Sequence, residues 1–309
     1  MKKALSIVMA LIMILTAVTF AFAVDTEKPF DNSEFYKVND DYTLHYRTYE
    51  AKGVEKNQIM LIHGFCLSTA TFEGLAEIYA ENGYTTVLVD VPNFGYSSRE
   101  SSETNLMDRE DVIYALMDYL GGTFIVGGHS MGGGLAINLA TDHPEKVTGL
   151  VLFAPQTSAD SSEMKIPAFL HKPMQLMMET VRTVILHFPC VIRYALVAGS
   201  FSSMEFAKDY DISKITDPFT IKGTGAGIAI MSTHTRGSDL SKLKALNIPC
   251  VIVTADKDMV ASADNLQAII DNAPEGTKFV NFAEGGHMMM EYNPTKAAEK
   301  TLPVIEMCN

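Results

Sequence analysis

The stretch "FIVGGHSMGGGLAINLA", residues 124–140, decides how the chain is read. Phe124 to Val126 form a short apolar run ending in glycine, the pattern of a strand buried on both faces. From Met131 onward, apolar and small residues recur at helical spacing. Ser130 therefore stands at the joint between a strand and a helix, with glycines at 127, 128, 132, 133 and 134 around it. Gly128 to Gly132 fit G-x-S-x-G. In that motif a strained turn lifts the serine Oγ clear of the sheet, and the glycines let neighbouring chain pass close by.

Outward from this point the chain alternates. "DYTLHYRTYE" (41–50) has the period of an early antiparallel strand pair ending near Tyr49. Short apolar runs follow at 58–62, 85–90, 123–127, 148–153, 249–254 and 277–282, with helical patterns at 70–82, 105–120, 131–142, 262–272 and 295–307. Strands alternating with helices predict a mostly parallel sheet with helices on both faces. One interval breaks the rhythm. About ninety residues, Pro155 to Asn247, separate two strands, too many for a structureless loop. Its middle, "MQLMMETVRTVILHFPCVIRYALVAG", is apolar and helix-like. The division expected is a core of 24–154 and 248–309 with a helical cap, 155–247, inserted between its halves. Met164, Met174, Met177, Met178, Met204 and Met231 are scattered through the cap. They serve as core filling or as an adaptable apolar lining over a pocket.

The first residues are set apart from the fold. Lys2 and Lys3 precede an apolar run, and Ala21-Phe22-Ala23 supplies a small-x-small exit before Val24. Residues 1–23 read as a secretory signal peptide, so the protein is expected outside the cell. The alternative is an uncleaved anchor, since Ala4 to Val24 is long enough to span a bilayer. Removing residues 1–23 takes away two lysines and no acid, so the formal charge moves from −13 to −15 (22 basic, 37 acidic). Such a chain repels nucleic acid and anionic headgroups, and neither is expected as a partner. Cys66, Cys190, Cys250 and Cys308 lack the spacing of a zinc site or a disulfide framework. No metal or organic cofactor is expected.

A serine hydroxyl is a weak nucleophile near neutral pH and needs a general base. Of eight histidines, His287 is placed for that role, in "AEGGHMMMEYNP" between the last strand and the last helix. His129 adjoins the serine, but its side chain should point the other way. The imidazolium formed during attack requires a carboxylate to hold it. "VIVTADKDMV" places two in the loop after the penultimate strand: Asp258 is favoured, with Asp256 as the alternative. Nucleophile, acid and base then follow in the order Ser130, Asp258, His287. An oxyanion needs N–H donors. Met131, after the serine, and Phe65, in the "HGFC" loop after the 58–62 strand, supply them, with His63 bracing that loop and Cys66 packing beside it.

These pieces, "HGF" at 63–65, "DVPNFGYS" at 90–97, "GHSMGG" at 128–133, "DKD" at 256–258 and "GGH" at 285–287, resemble an α/β-hydrolase of the serine lipase/esterase type, similar to monoacylglycerol lipase-like enzymes. The resemblance implies an eight-stranded-type sheet with an inserted cap, a catalytic set of Ser130, Asp258 and His287, and oxyanion donors Phe65 and Met131. It departs at Ala255, where family members often carry Gly, and across 155–247, where no cap aligns. The expected activity is cleavage of carboxylic esters with an apolar acyl group, lipid or acylglycerol esters first, through an acyl-enzyme. A peptidase or amidase would use the same triad and needs acids to hold a substrate amine; Glu163, Glu179 and Glu205 are its candidates. A non-catalytic binder of the same fold is the third reading.

Overall fold

The computed structural model describes residues 26–100, 106–157, 167–233 and 236–308. Residues 1–23, Met164 and His234 lie outside them. Eight strands form one sheet: β1 (Ser33–Lys37), β2 (Thr43–Tyr49), β3 (Gln58–Ile62), β4 (Thr86–Val89), β5 (Phe124–His129), β6 (Val147–Phe153), β7 (Cys250–Ala255) and β8 (Lys278–Phe282). Their spatial order is β1-β2-β4-β3-β5-β6-β7-β8. The β1–β2 and β2–β4 pairs are antiparallel, and every other pair is parallel. The antiparallel partner of the 41–50 run lies upstream at Ser33–Lys37, not within the run itself. That partner is a short, mostly exposed edge strand with weak alternation.

Core helices are α1 (Glu73–Glu81), α2 (Arg109–Leu120) and α3 (Met131–Asp142) before the cap. The cap contributes α4 (Ala168–Leu186), helical turns from Pro189 to Phe201, α5 (Met204–Asp209), α6 (Ser213–Thr220), α7 (Thr224–Thr233) and α8 (Leu240–Ala245). The chain closes with α9 (Ala263–Asp271), α10 (Met289–Tyr292) and α11 (Pro294–Ile305). Period-two alternation sends β3 side chains to two cores. Met60 and Ile62 pack with α2 and α3 residues such as Leu116 and Leu139, while Ile59 and Leu61 pack with α1 and α11 through Leu75 and Ala297. Both faces of the parallel strands are therefore covered, which is why they read as continuous apolar runs.

The strand order places the site. From β3 the chain goes through α1 to β4 on one side, whereas β5, on the other side of β3, goes through α3 to β6. Connections leaving in opposite directions open a crevice above the carboxyl ends of β3 and β5, the usual ligand position in such sheets. The two loops that flank it are Gly64–Leu67 and the turn at Ser130.

Candidate active site

Ser130 adopts φ 51° and ψ −119°, a conformation that side chains other than glycine rarely take. Strain of this kind costs about 1–3 kcal/mol and persists only where surrounding structure enforces it. Here its N–H donates to the Phe153 carbonyl at 3.0 Å, and its own carbonyl accepts from Gly133 and Gln156, each at 2.9 Å. Gly132 is required because a Cβ there would collide with the carbonyls of Ile62 and His63. α3 is thus pressed against the end of β3, and the serine is left at the crevice.

Gly64 backs onto the same turn. A Cβ on it would lie 2.6 Å from His129 Nδ1 and 3.2 Å from Ser130 Cβ. Leu67 N–H closes a turn on the Gly64 carbonyl at 3.2 Å, with Cys66 at φ 60°. Phe65 N–H lies outside that closing bond. Met131 N–H opens α3, where first-turn amides have no intrahelical acceptor. His63 holds this loop: its Nδ1–H donates to the Gly64 carbonyl at 2.7 Å and its Nε2 accepts from Val91 N–H at 3.0 Å. Burial, the largest influence, lowers the His63 pKa, so the ring is a neutral brace. Burial also pushes the Cys66 thiol up to about 12, which keeps it protonated and confines it to packing.

Asp258 and His287 meet from two strand ends. His287, in the turn 286–288 after β8, donates from Nδ1 to Asp258 Oδ2 at 2.8 Å. Asp258 Oδ1 accepts from Val260 N–H at 2.8 Å and Ala261 N–H at 2.9 Å. Burial works against ionisation of Asp258, but the His287 contact and these amides outweigh it and hold its pKa below the usual value. A carboxylate on Nδ1–H leaves Nε2 as the acceptor nitrogen. Asp256 instead bonds Asn281 at the exposed end of β8. Of the two carboxylates, Asp258 faces the histidine.

His129 joins the serine turn to the histidine turn. Its Nε2–H donates to the His287 carbonyl at 2.9 Å, and the two rings stand 4.5 Å apart between centroids. Burial first, then the neighbouring His287, drives the His129 pKa well down, so it is neutral. Among the described residues no hydrogen bond joins the Ser130 hydroxyl to the His287 ring; catalytic contacts of this kind often close only with substrate in place. The sequence reading turned His129 away from Ser130 and assigned it nothing. Its acceptor lies 158 residues away, and its position in "GHS" was the available signal.

Above the crevice is a cavity of about 550 Å³, within the range of small-ligand sites. Phe65, Cys66 and Leu67 form its floor, Met178 and Ile185 of α4 its roof, and Met259, Val260 and Met288 its flank. These last are chain neighbours of Asp258 and His287, so the loops that carry those two residues form part of the cavity wall. Its lining is overwhelmingly apolar. No cluster of metal-ligating side chains is found among the described residues.

A second Ser–His–Asp array lies nearby. Asp90 Oδ2 accepts from His45 Nδ1–H at 2.7 Å, and His45 Nε2 meets Ser33 Oγ at 2.9 Å. Thr69 and Tyr96 N–H also donate to Asp90, at 2.6 and 2.8 Å. Burial opposes the Asp90 charge, yet His45, then His63 and the Tyr96 amide, hold its pKa below the usual range.

With this geometry in hand, comparison with known proteins gives the family. Residues 57–294 match the model of the α/β hydrolase fold, and the chain belongs to that family. It is similar to the pimeloyl-[acyl-carrier protein] methyl ester esterase of Legionella pneumophila (strain Corby), 25% identical over 74% of this chain and 87% of that one. It also resembles the 2-hydroxy-6-oxononadienedioate/2-hydroxy-6-oxononatrienedioate hydrolase of Burkholderia vietnamiensis, 31% identical over 44% of this chain and 49% of that one. Several curated relatives are thus matched over half their length or less. In structure it resembles a thermophilic esterase from Thermogutta terrifontis (TM-score 0.67, 18% identity, 89% of this chain and 98% of that one). The enol-lactonase of Burkholderia xenovorans aligns with TM-score 0.70 at 13% identity, over 88% of this chain and 100% of that one. The chain thus belongs to the α/β hydrolase fold and has esterase-type relatives.

Proposed function

We propose that this protein is a secreted serine hydrolase that cleaves carboxylic esters with an apolar acyl group, lipid or acylglycerol esters foremost. Ser130 Oγ attacks the ester carbonyl carbon while His287 Nε2 takes its proton, and Asp258 stabilises the imidazolium. Phe65 and Met131 N–H receive the oxyanion. Collapse breaks the ester C–O bond, His287 returns the proton to the leaving alcohol, and water then releases the acid by the same steps. The observation that carries this reading is the Asp258–His287 hydrogen bond, tied through His129 to a strained serine turn.

The apolar cavity supports an acyl rather than a charged substrate. The amine-binding alternative loses a candidate in Glu179, whose carboxylate is engaged by Arg182 and by Gly223 and Gly225 N–H. Glu205 stands in the first turn of α5, and Glu163 is outside the described residues. A fluorophosphonate probe should label the wild-type protein and fail on Ser130→Ala. An acyl ester panel should be turned over with preference for apolar acyl groups, and amino-acid anilides should not. An unlabelled wild-type protein would point to a binder, and anilide turnover to a peptidase. Export is supported by the layout of residues 1–23 and predicts a mature chain starting at Val24.

A further inference from the structure

Tyr210 borders two cavities. One is the apolar cavity above the crevice; the other, of about 270 Å³, lies between α5 and α10. Ser203, Glu205, Phe206, Asp209, Tyr210 and Tyr292 line it. Three of these walls are aromatic. The Phe206 ring stands 5.0 Å from Tyr292 and 6.0 Å from Tyr210 between centroids, inclined by 47° and 42°, so the rings meet at angles instead of stacking flat. Phe201, buried, packs on Phe206 at 4.5 Å and on Tyr210 at 5.2 Å, and the Tyr210 hydroxyl is tied to Glu291. Two walls are therefore held in place by the fold itself. The rest of the lining is acidic. Glu205 and Asp209 stand four apart on α5 and so share one side of it, next to Phe206 and Tyr210. Both acids are exposed, and no Lys or Arg belongs to the lining. Glu205, a candidate for holding a substrate amine, thus faces this cavity and not the one above the crevice.

We propose that this second cavity binds a free quaternary ammonium cation of the choline type. Aromatic faces carry negative charge density and attract a cation, and a quaternary ammonium, with methyl groups and no N–H, is the cation that several rings together recognise. A primary ammonium is compact and strongly hydrated, so it gains less from apolar walls. A divalent metal ion needs a full set of oxygen ligands. Two carboxylates do not supply one, the Ser203 hydroxyl already accepts from Phe206 N–H at 3.1 Å, and no cluster of metal-ligating side chains is found among the described residues. A cation joined to a phosphate, as in a lipid headgroup, would bring that anion against Glu205 and Asp209, so the carboxylates select the free cation. The formal charge of −13 favours cations of every kind and cannot discriminate among them; the rings do. Ser130, Asp258 and His287 are not in this lining, which makes the site distinct from the one proposed to cleave esters.

Saturation-transfer NMR on the full chain reads the methyl protons of choline directly. The wild type should give saturable transfer to choline. Tetramethylammonium chloride should displace it at similar concentration, whereas ammonium chloride and phosphocholine should compete about tenfold less well or worse. Glu205→Gln combined with Asp209→Asn, both at exposed positions, should weaken choline binding about tenfold at an unchanged melting temperature. Tyr292→Leu should weaken it to a similar extent, and Tyr292→Phe, which keeps the ring face, should bind as the wild type does. Phe206→Leu and Phe206→Tyr replace that pair should Tyr292→Leu melt early. The proposal is overturned by the absence of saturable transfer to the wild type, or by ammonium competing as well as tetramethylammonium. Phosphocholine competing as well as choline would overturn it too, as would undiminished binding in the double carboxamide variant or in a folded Leu variant. No arm requires turnover, so the outcome is independent of the ester-hydrolase reading.

Discussion

Glu291, in α10 four residues after His287, is a buried carboxylate between core and cap. Its side chain is 8% exposed. Tyr210 of the cap donates its hydroxyl to Glu291 Oε1 at 3.0 Å, and Lys214 Nζ of α6 stands 3.8 Å away; Oε2 is buried without a partner. Glu73 of α1 shares the same lysine, and Arg47 of β2 donates to Glu73 at 3.1 Å. Burial pushes the Glu291 pKa from 4.5 to about 7, with Lys214 and Tyr210 opposing and Glu73 reinforcing. The folded state therefore holds this proton more tightly than the unfolded state. Its contribution to stability is complete below pH 4.5, declines as pH rises, and is gone above pH 7. The difference corresponds to about 3 kcal/mol. Glu291→Gln keeps the acceptor for Tyr210 and cannot ionise. It should match the wild type near pH 4.5 and exceed it by up to about 3 kcal/mol at pH 8, roughly 6 °C in melting temperature at ~2 °C per kcal/mol. Paired thermal melts from pH 4.5 to 8.5 isolate this group, because every other titration is common to both proteins. Parallel curves, or a variant that loses stability as pH rises, would refute the argument.

Four further outcomes are expected. Asp258→Asn should lower kcat/KM for a soluble ester by about 10⁴, because the amide favours the wrong His287 tautomer, whereas Asp256→Asn stays within a fewfold. His129→Phe keeps a ring but leaves the buried His287 carbonyl without its donor; denaturant titration should show a loss of about 1–3 kcal/mol, accompanied by a lower kcat. Gly95 has φ +50°, and a Cβ on it would collide with the Asp90 carboxylate, so Gly95→Ala should cost several kcal/mol or yield insoluble protein on expression. Arg99 reaches the carbonyls of Phe94, Gly95 and Pro218 at once. A lysine point charge cannot replace that fork, so Arg99→Lys should speed limited proteolysis within 155–247 at unchanged far-UV circular dichroism.

How much of this was legible depended on whether the signal was local. The parallel strands could be read because burial on both faces writes itself as consecutive apolar residues. The edge strand "SEFYK" could not, since exposure leaves it no pattern. The cap read as helical, but α4 is apolar on its cavity side and its outer side alike, so periodicity alone could not orient it. In the site, Ser130 and His287 stood out by their place at strand ends. Asp256 and Asp258 share the same loop, and only the direction of the turn, which closes Val260 and Ala261 N–H onto Asp258, separates them. Glu291 carried no local signal, because nothing near it in sequence announces Tyr210, 81 residues upstream.

The Ser33–His45–Asp90 array shows why a serine, an imidazole and a carboxylate in contact do not make an active site. Its hydrogen bonds are better closed than those around Ser130, yet both His45 and Asp90 are wholly inaccessible. Ser33 Oγ already accepts from Phe30 N–H at 3.0 Å, and the rings of Phe30, Phe35 and Tyr96 enclose His45. Asp90 accepts from two backbone amides besides the imidazole, as Asp258 does, so the carboxylate's partners do not separate the two arrays. Ser33 begins an edge strand with ordinary backbone. Ser130 has the opposite profile: positive φ, a helix N-terminus behind it, and the Gly64–Leu67 turn beside it. On the proposed reading, backbone strain rather than completed hydrogen bonds marks the reactive serine. Ser33→Ala should keep full fluorophosphonate labelling and ester turnover while losing about 0.5–1.5 kcal/mol of stability from the His45 bond. Labelling that disappears with Ser33→Ala and survives Ser130→Ala would reverse the assignment of the two arrays.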